Sequence, residues 1–388
     1  MRHRRPATAD RTGVMGTDTI AGRLVLDDRV APGRLTIEDG RIASVDLDAA
    51  VPEDAPYVAP GFVDLHVHGW GGHDAMGDTP ALEGMARALL RRGVTSFLPT
   101  AVTAPLPALE AFADRVRTWL PHAPSDGAEP LGFNLEGPFL TPDRRGAHDA
   151  THLRVPADVA RETLTSLIDG LRLMTVAPEL PGAIELIGWL AGHGVPTSIG
   201  HSAASLEEAR AGYAAGATST THLFNAMSGL DHRTPGVALA ALLDDEVFVE
   251  LIADGVHVHP AMWQLAWRVK PPNRLFLVSD AISLAGVGDG HAWIGGLEID
   301  VVGQRATLAG TTTLAGSVIA LDSAVRDLVA TGVPLPTAVA AATSTPLAVL
   351  GVFDRGRIAV GHRADLVELD EELAVGRVMR HGTWVVWA

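Results

Sequence analysis

Short apolar segments alternate with helical patterns through the middle of the chain, and this alternation constrains the fold more than any other feature. Strands are predicted at residues 62–65, 94–98, 131–135, 171–176, 196–200, 217–221, 248–252 and 275–279. Thr79 and Pro80 predict a helix start, and Gly93 predicts its end. Ser205 precedes a second helix, and two more are predicted at 322–330 and 336–350. Strands that alternate with helices are typical of a parallel sheet.

Eight strands with intervening helices favour an α/β fold of the TIM-like (β/α)8 barrel type over an open doubly wound sheet. The chain has 388 residues, whereas a barrel alone commonly takes about 250. Both ends show short alternating runs, separated near the start by Asp-Asp and Asp-Gly turns, that are typical of antiparallel hairpins. We therefore predict a barrel over residues 60–360, a small β-sandwich domain from 17–59 and 361–388, and a disordered extension over 1–16.

Composition excludes several classes of protein. Hydrophobic residues make up 47% of the chain and charged residues 20%, as in a globular protein with a large core. A formal net charge of −16 argues against a nucleic-acid partner. The sequence has no apolar run of about 18 residues for a membrane span, and its start lacks the apolar segment of a signal peptide, so we expect a cytoplasmic protein. Cysteine is absent, so nitrogen and oxygen must hold any metal.

Imidazoles and carboxylates stand where the predicted strands end. His66 and His68 follow the first strand, and their spacing of two makes them face the same way. Four other strands end in Glu136, His201, His222 and Asp280. Because the carboxyl ends of barrel strands form one mouth, we expect these side chains to surround a single site. One carboxylate with two histidines is a familiar catalytic zinc set, which indicates a metal-dependent hydrolase.

Each of these side chains also has an ordinary structural explanation. The pair His66 and His68 would be surface histidines, and Glu136 would form a salt bridge to a barrel arginine. His201 or His222 alone would be a satisfied core histidine, and Asp280 would cap a helix, although no clear helix pattern begins at Ala281. The repetition of such residues at successive strand ends favours the metal site. A strand-end aspartate beside a metal can take a proton from bound water.

Nearly the whole chain resembles the N-acetylglucosamine-6-phosphate deacetylases of the amidohydrolase superfamily. The resemblance is carried, in family order, by PGFVDLHVHGWGG, LEGPF, GAH, IGHS, THLFNAMSGLDHRTPG, ADGVHVHP, LVSDA and TLAGS. It implies that metal-activated water hydrolyses the acetamide of N-acetylglucosamine 6-phosphate to glucosamine 6-phosphate and acetate. The expected cofactor is a divalent metal ion, zinc first, with iron, cobalt or manganese as alternatives.

The resemblance also implies a role for individual residues. The principal metal ligands are Glu136, His201 and His222. Asp280 is the general base and later the acid, and His148 helps to polarise the acetamide carbonyl. The family binds one or two ions per subunit: members that lack the first-strand histidine pair use one, and others keep the pair and can hold two, so His66 and His68 imply a second metal bridged by Glu136.

Substrate contacts are implied in the same way. The matching positions for the sugar are Ala147, Asn225 and Ala226, and those for the phosphate are Arg233 and His257. Leu314 and Ala315 belong to a mobile flap, for which the second of two similar phrases, at 313–317, is favoured over the first, at 307–310. The family arginine reaches a neighbouring active site, so Arg233 implies a homodimer.

The sequence leaves three alternatives open. A deacetylase for another N-acetyl amino sugar, such as N-acetylgalactosamine 6-phosphate, would leave little trace in the sequence. A cyclic amidohydrolase is less favoured, because that chemistry usually needs a bridging barrel lysine and the one lysine of this chain, Lys270, follows a helix pattern. A non-catalytic binding protein is disfavoured, because the ligands and Asp280 are all present.

Overall fold

Eight parallel strands form the centre of the molecule in the computed structural model, which describes residues 18–386. The predicted extension at 1–16 therefore lies outside the described residues. The barrel strands are Phe62–Val67, Val94–Val102, Phe133–Glu136, Leu171–Val176, Thr197–Ile199, Ser219–Thr220, Phe248–Leu251 and Leu275–Leu277. They lie side by side in chain order, and a short strand at Glu129–Pro130 adds to the second.

The barrel closes at its carboxyl end. Val67, at the end of the first strand, forms a parallel bridge with Ala281, which follows the eighth strand. The backbone N–H of Asp280 donates to the carbonyl of His66 at 2.8 Å, and that of His68 donates to Ala281 at 2.8 Å. The first and last strand ends thus meet, so all eight ends surround one mouth. The predicted barrel fold is confirmed.

Helices cover the outside of the barrel. Their bounds are Thr79–Leu90, Leu106–Trp119, Arg161–Ile168, Ala183–Gly192, Leu206–Ala214, Val237–Leu243, Pro260–Val269, Leu321–Ala330, Leu335–Ala341 and Ser344–Val349. Single 3-10 turns occur at Leu120–His122, Pro142–Arg144, Ala150–His152, Pro156–Asp158 and Pro272–Arg274. Within the described part of the chain, no helix is long and apolar enough to cross a membrane.

Helix ends follow the sequence signals with two differences. Ser205 forms a full capping box with Glu208, but the first helix is capped by Asp78, whose side chain accepts the Ala81 N–H, rather than by Thr79. The single helix predicted at 336–350 is two helices, and Thr343 between them has φ −137° and ψ −85°. Pro346 explains the break, because it has no N–H to donate to a carbonyl one turn earlier.

Strands from both chain ends form one separate seven-stranded sheet. They are Asp18–Val25, Val30–Glu38, Arg41–Asp46, Tyr57–Pro60, Leu366–Leu369, Val375–Arg380 and Thr383–Trp384. The fourth strand joins the two ends, because it pairs in parallel with the first and antiparallel with the fifth. Leu24, Leu35, Ile42, Val58 and Leu366 form a core for this sheet that is distinct from the barrel core. A small β domain built from both chain ends is confirmed, while its predicted limits, 17–59 and 361–388, stay a prediction, as do those of the barrel at 60–360.

A three-stranded antiparallel sheet, which the sequence analysis missed, follows the eighth barrel strand. Its strands are Gly290–Ile294, Leu297–Val302 and Arg305–Leu308. Ile294 lines the cavity at the barrel mouth, so this sheet forms one wall of the site. A short pair at Gly69–Trp70 and His73–Asp74 follows the first barrel strand.

Candidate metal centre and active site

The predicted ligands come together at the carboxyl end of the barrel. His66 lies in the first strand, Glu136 ends the third, and His201, His222 and Asp280 follow the fifth, sixth and eighth. The last three have positive φ angles of 48°, 27° and 50°. L-residues rarely adopt this left-handed region, and such backbone tends to concentrate at functional sites. All these side chains are buried, with exposures of 7% or less.

Glu136 lies at the centre of this ring, with its two oxygens facing different histidines. Its Oε1 is 2.9 Å from Nε2 of both His201 and His222, and these two nitrogens are 3.0 Å apart. Its Oε2 is 3.2 Å from Nε2 of His68 and 3.4 Å from Nε2 of His66. One carboxylate thus bridges two groups of imidazoles.

Hydrogen bonds on the outer side of the His201 and His68 rings fix which of their nitrogens faces the centre, whereas the Nδ1 of His222 is buried without a partner among the described residues. The Nδ1 of His201 is 2.8 Å from the Arg144 carbonyl, and the Nδ1 of His68 is 3.1 Å from the Thr100 carbonyl. A carbonyl only accepts, so each Nδ1 carries a proton and each neutral ring turns an Nε2 lone pair inward. The close Nε2 atoms of His201 and His222 face the same carboxylate oxygen. This arrangement is typical of ligands that share a cation.

His148 differs from the other histidines at the site. Its Nε2 is 3.2 Å from Glu136 Oε2, so proximity alone groups it with Glu136 and His201 as a ligand. However, its Nδ1 accepts the backbone N–H of Thr103 at 3.2 Å. A neutral ring must then carry its proton on Nε2, which makes His148 a donor towards the centre rather than a ligand.

The donors form two adjacent groups that fit divalent ions. Glu136, His201 and His222 form the first subsite, and His66, His68 and Asp280 form the second, with Glu136 between them. In the second subsite, the Nε2 of His68 is 3.1 Å from Asp280 Oδ1. Nitrogen and carboxylate donors in this number suit zinc and its first-row neighbours.

Burial and neighbouring charges set the protonation of these groups. Burial alone would raise the pKa of the carboxyls of Glu136 and Asp280. The surrounding imidazoles outweigh it, so the pKa of Asp280 is lowered and that of Glu136 lies well below its usual range. Burial lowers the pKa of His201 to about 4, which keeps this ring neutral as a ligand must be. Burial also opposes charge on His68, but hydrogen bonds to Asp280 and Glu136 raise its pKa to about 9, so a cation would displace a proton there.

A cavity of about 330 Å³ opens above the ligand ring. The predicted substrate residues that line it are Ala147, Asn225, Ala226, His257 and Leu314. His257 is held by Asp254, whose Oδ2 is 2.7 Å from its Nδ1 and whose Oδ1 accepts the His257 N–H at 2.8 Å. Asn225 donates its Nδ2 to the His222 carbonyl at 3.1 Å.

Arg233 and the predicted flap are placed differently with respect to this cavity. Arg233 is exposed on a loop fixed by Asp231, and it does not line the cavity of its own chain. The second flap phrase lies at the cavity, through Thr313, Leu314 and Gly316, whereas Thr307 and Leu308 of the first belong to a strand. Ala315 is fully buried beside the lining residues.

Several site residues were missed in the sequence analysis. Thr100 and Thr103 hold His68 and His148, and the Arg144 carbonyl holds His201, while Arg144 also lines the cavity. Backbone carbonyls and N–H groups leave no signal in a sequence. Glu250 is different, because a lone carboxylate inside the apolar strand Phe248–Leu251 is itself a signal.

Gly200, before His201, leaves no room for a side chain, and Gly200→Ala tests this packing. A Cβ there would lie 2.5 Å from the Cβ of Thr221, which precedes His222. We expect the substitution to lower the free energy of unfolding by about 1–3 kcal/mol and to weaken metal binding, because it forces two ligand-bearing segments apart. Chemical denaturation and metal titration measure both effects. Gly192→Ala is the control, since its Cβ would meet nothing within 4 Å; equal stability of the two variants would contradict the prediction.

Comparison with known proteins agrees with this fold. A sequence profile described as the amidohydrolase family matches residues 57–385. The chain belongs to the amidohydrolase family, as the sequence analysis predicted.

Within this family, the chain is similar to several deacetylases of amino-sugar phosphates. N-acetylglucosamine-6-phosphate deacetylase of Bos taurus is 38% identical over 387 residues, covering 95% of this chain and 90% of the relative. N-acetylgalactosamine-6-phosphate deacetylase of Escherichia coli O157:H7 is 38% identical over 362 residues, covering 90% and 93%. A variant of N-acetyl-D-glucosamine-6-phosphate deacetylase from Mycobacterium smegmatis, solved in complex with N-acetyl-D-glucosamine-6-phosphate, is similar with a TM-score of 0.88 and 37% identity, covering 96% of this chain and 100% of that one.

Proposed function

We propose that this protein hydrolyses the acetamide of N-acetylglucosamine 6-phosphate to glucosamine 6-phosphate and acetate. The observation that carries the proposal is the pair of imidazole nitrogens from His201 and His222, 3.0 Å apart, that face one oxygen of Glu136 beside the buried Asp280. The similarity to deacetylases over nearly the whole chain supports the choice of substrate.

A divalent ion, zinc in the first instance and iron, cobalt or manganese as alternatives, would be held by Glu136, His201 and His222. A second would be held by His66, His68 and Asp280, with Glu136 shared. When bound, such an ion lowers the pKa of a coordinated water from about 15.7 towards about 7 and polarises a carbonyl.

Asp280 moves the protons of the reaction. Its ionised carboxylate accepts a proton from the attacking water and later donates one to the departing amine, since an amide nitrogen leaves readily only when protonated. His148, with its proton on Nε2, donates a hydrogen bond to the carbonyl oxygen as negative charge grows there. The Thr103 N–H on its Nδ1 keeps this ring in the donor form.

The sugar phosphate would be bound at the outer part of the cavity. Ala147, Asn225 and Ala226 contact the sugar, and Leu314 and Ala315 close over it. His257, oriented by Asp254, and Arg233 bind the phosphate. The exposed position of Arg233, outside its own cavity, supports a homodimer in which this arginine reaches the neighbouring site. We place this metabolic enzyme in the cytoplasm.

Acetate release from N-acetylglucosamine 6-phosphate, followed with and without a chelator, tests the proposed activity. We expect release that stops on chelation and returns with added metal. N-acetylgalactosamine 6-phosphate is the second candidate substrate. The N-acetylgalactosamine-6-phosphate deacetylase of Escherichia coli O157:H7 is 38% identical to this chain, as is the N-acetylglucosamine-6-phosphate deacetylase of Bos taurus. A higher kcat/KM on the galactosamine epimer would assign that substrate instead, and no release from either sugar with metal present would indicate a binding protein.

Arg233→Ala tests the phosphate contact. A hydrogen bond to a charged group contributes about 1.5–3 kcal/mol, so we expect KM for the phosphorylated sugar to rise by about 10- to 100-fold. The weak activity on unphosphorylated N-acetylglucosamine should stay the same, because no phosphate is lost from that complex. Arg210→Ala, at another exposed arginine, is the control for charge alone. An equal loss on both sugars would mean that Arg233 has a structural role.

A further inference from the structure

Glu250 is a buried carboxylate that is neither a proposed metal ligand nor a proposed catalytic or substrate-binding residue. It lies in the seventh barrel strand, Phe248–Leu251, and is fully buried. Its Oε1 is 2.7 Å from Nδ1 of His66 and accepts the backbone N–H of His222 at 3.1 Å. Its Oε2 is buried and has no hydrogen-bond partner among the described residues. A carboxylate in such a position is costly unless positive charge lies nearby, so its presence here indicates a cation within reach.

Glu250 contacts one ligand of each subsite, but in different ways. It contacts the ring of His66, and it contacts His222 only through the backbone. The Nδ1–H of His66 is donated to Glu250, which directs the His66 Nε2 towards Glu136 Oε2 at 3.4 Å and Asp280 Oδ1 at 3.5 Å. A carboxylate on the outer nitrogen of a ligating imidazole fixes its tautomer and raises its basicity.

The other outer partners in the described ring are neutral. His68 donates to the Thr100 carbonyl and His201 to the Arg144 carbonyl. Only His66, among the proposed imidazole ligands of the described chain, has a carboxylate partner on its Nδ1. The negative charge that supports a ligand from outside is therefore concentrated on the second subsite.

We infer that Glu250 is a positioning residue that sets the metal affinity of the second subsite through His66. The inference rests on the proposed function, since it requires metal at the strand ends. Glu250 does not touch the reacting atoms. It acts through its hydrogen bond to His66, which would bind the metal. Without its charge, His66 would be a weaker donor with a less fixed ring, and the ion of the second subsite would be lost first.

Glu250→Gln tests the inference, because glutamine keeps the shape and an acceptor oxygen but removes the charge. Metal content is measured by equilibrium dialysis against buffered Zn²⁺ with elemental analysis, without reference to activity. We expect two ions per wild-type chain, and in the variant a dissociation constant for one ion that is about 10- to 100-fold weaker, with the other unchanged. Glu179→Gln is the matched control: its carboxylate accepts from Ser202 Oγ and the Ala203 N–H at 2.7 Å each, and it has no hydrogen bond to an imidazole of the described residues. It should leave both constants unchanged.

Glu250→Asp gives a second variant in case the glutamine does not fold. It keeps the charge but withdraws it by one methylene, so we expect the same ion to be weakened by a smaller factor. Unchanged dissociation constants in either folded variant would overturn the inference, as would a lower Tm of the metal-free protein with full metal binding, which indicates a purely structural role. A wild-type chain that binds a single ion would also overturn it. A wild-type chain that binds no ion would instead contradict the proposed function.

Discussion

Replacing Asp280 by asparagine is expected to lower kcat for deacetylation by about 10²- to 10⁴-fold, the usual contribution of a general acid or base. The carboxylate is buried at the mouth of the barrel, with Oδ1 3.1 Å from Nε2 of His68. Asparagine has nearly the same shape and fits the left-handed backbone at this position, where φ is 50°. It can neither accept the proton of water nor pass one to the amine. The fall in rate should therefore appear in kcat, with the fold intact by circular dichroism.

The pH profile gives an independent measure of the same step. Burial would raise the pKa of Asp280, but His66 and His68 outweigh it and lower the pKa, so the group loses its ability to act as a base only at more acidic pH than an ordinary carboxyl would. The acidic limb of kcat/KM should disappear in the asparagine variant. Asp245→Asn, at an exposed carboxyl, is the control. A loss of less than tenfold at full metal content would exclude Asp280 as the proton carrier.

Glu136→Gln is expected to lower kcat/KM by more than about 10³-fold, because one carboxylate serves both subsites and electrostatic activation at the metal is lost. Its oxygens lie 2.9 Å from the Nε2 atoms of His201 and His222 and 3.2 Å from that of His68. An amide oxygen carries no full charge. The amide N–H groups would donate to the same imidazole lone pairs that are needed to bind the metal. We therefore expect the bound metal of both subsites to fall together.

Stability should change with the metal. At a free metal concentration of 100 times the dissociation constant, one bound ion stabilises the native state by about 2.7 kcal/mol, so adding Zn²⁺ should raise the Tm of the wild-type protein. This rise in Tm should vanish in Glu136→Gln. Glu207→Gln, an exposed residue of the helix Leu206–Ala214, should keep both the metal and the rise in Tm. Two ions bound to Glu136→Gln would disprove the bridging role of this carboxylate.

The ring of ligands was predictable from the sequence because strand ends of a parallel barrel must meet. His201 and His222 needed only the location of their strands to be placed together. The roles of the imidazoles were not predictable in this way, because they depend on outer partners: Thr103 makes His148 a donor, and the Arg144 carbonyl makes His201 a ligand. A backbone N–H or carbonyl is present at every position, so only the folded geometry selects the one that matters.

Some boundaries of helices and strands were likewise predictable from the sequence, and others were not. The helix starts at Asp78 and Ser205 follow from local side-chain caps, and the sequence indicated both to within a residue. The break before Ser344 depended on Pro346, a local signal that a continuous helical pattern concealed. The three-stranded sheet at 290–308 was not predicted. Its short alternating runs follow the last barrel strand, and the alternation of strand and helix that identifies the barrel ends there.

The bridge between Val67 and Ala281 has a consequence for biosynthesis. Its partners are separated by more than half of the chain, and Tyr57–Pro60, the fourth strand of the terminal sheet, is separated by a still longer stretch from its partner strand Leu366–Leu369. During synthesis on the ribosome, His66 and His68 are therefore incorporated well before Asp280. Metal loading of the complete centre is thus a late event, after synthesis has passed the eighth strand, and contacts so distant in sequence make slow folding the expectation.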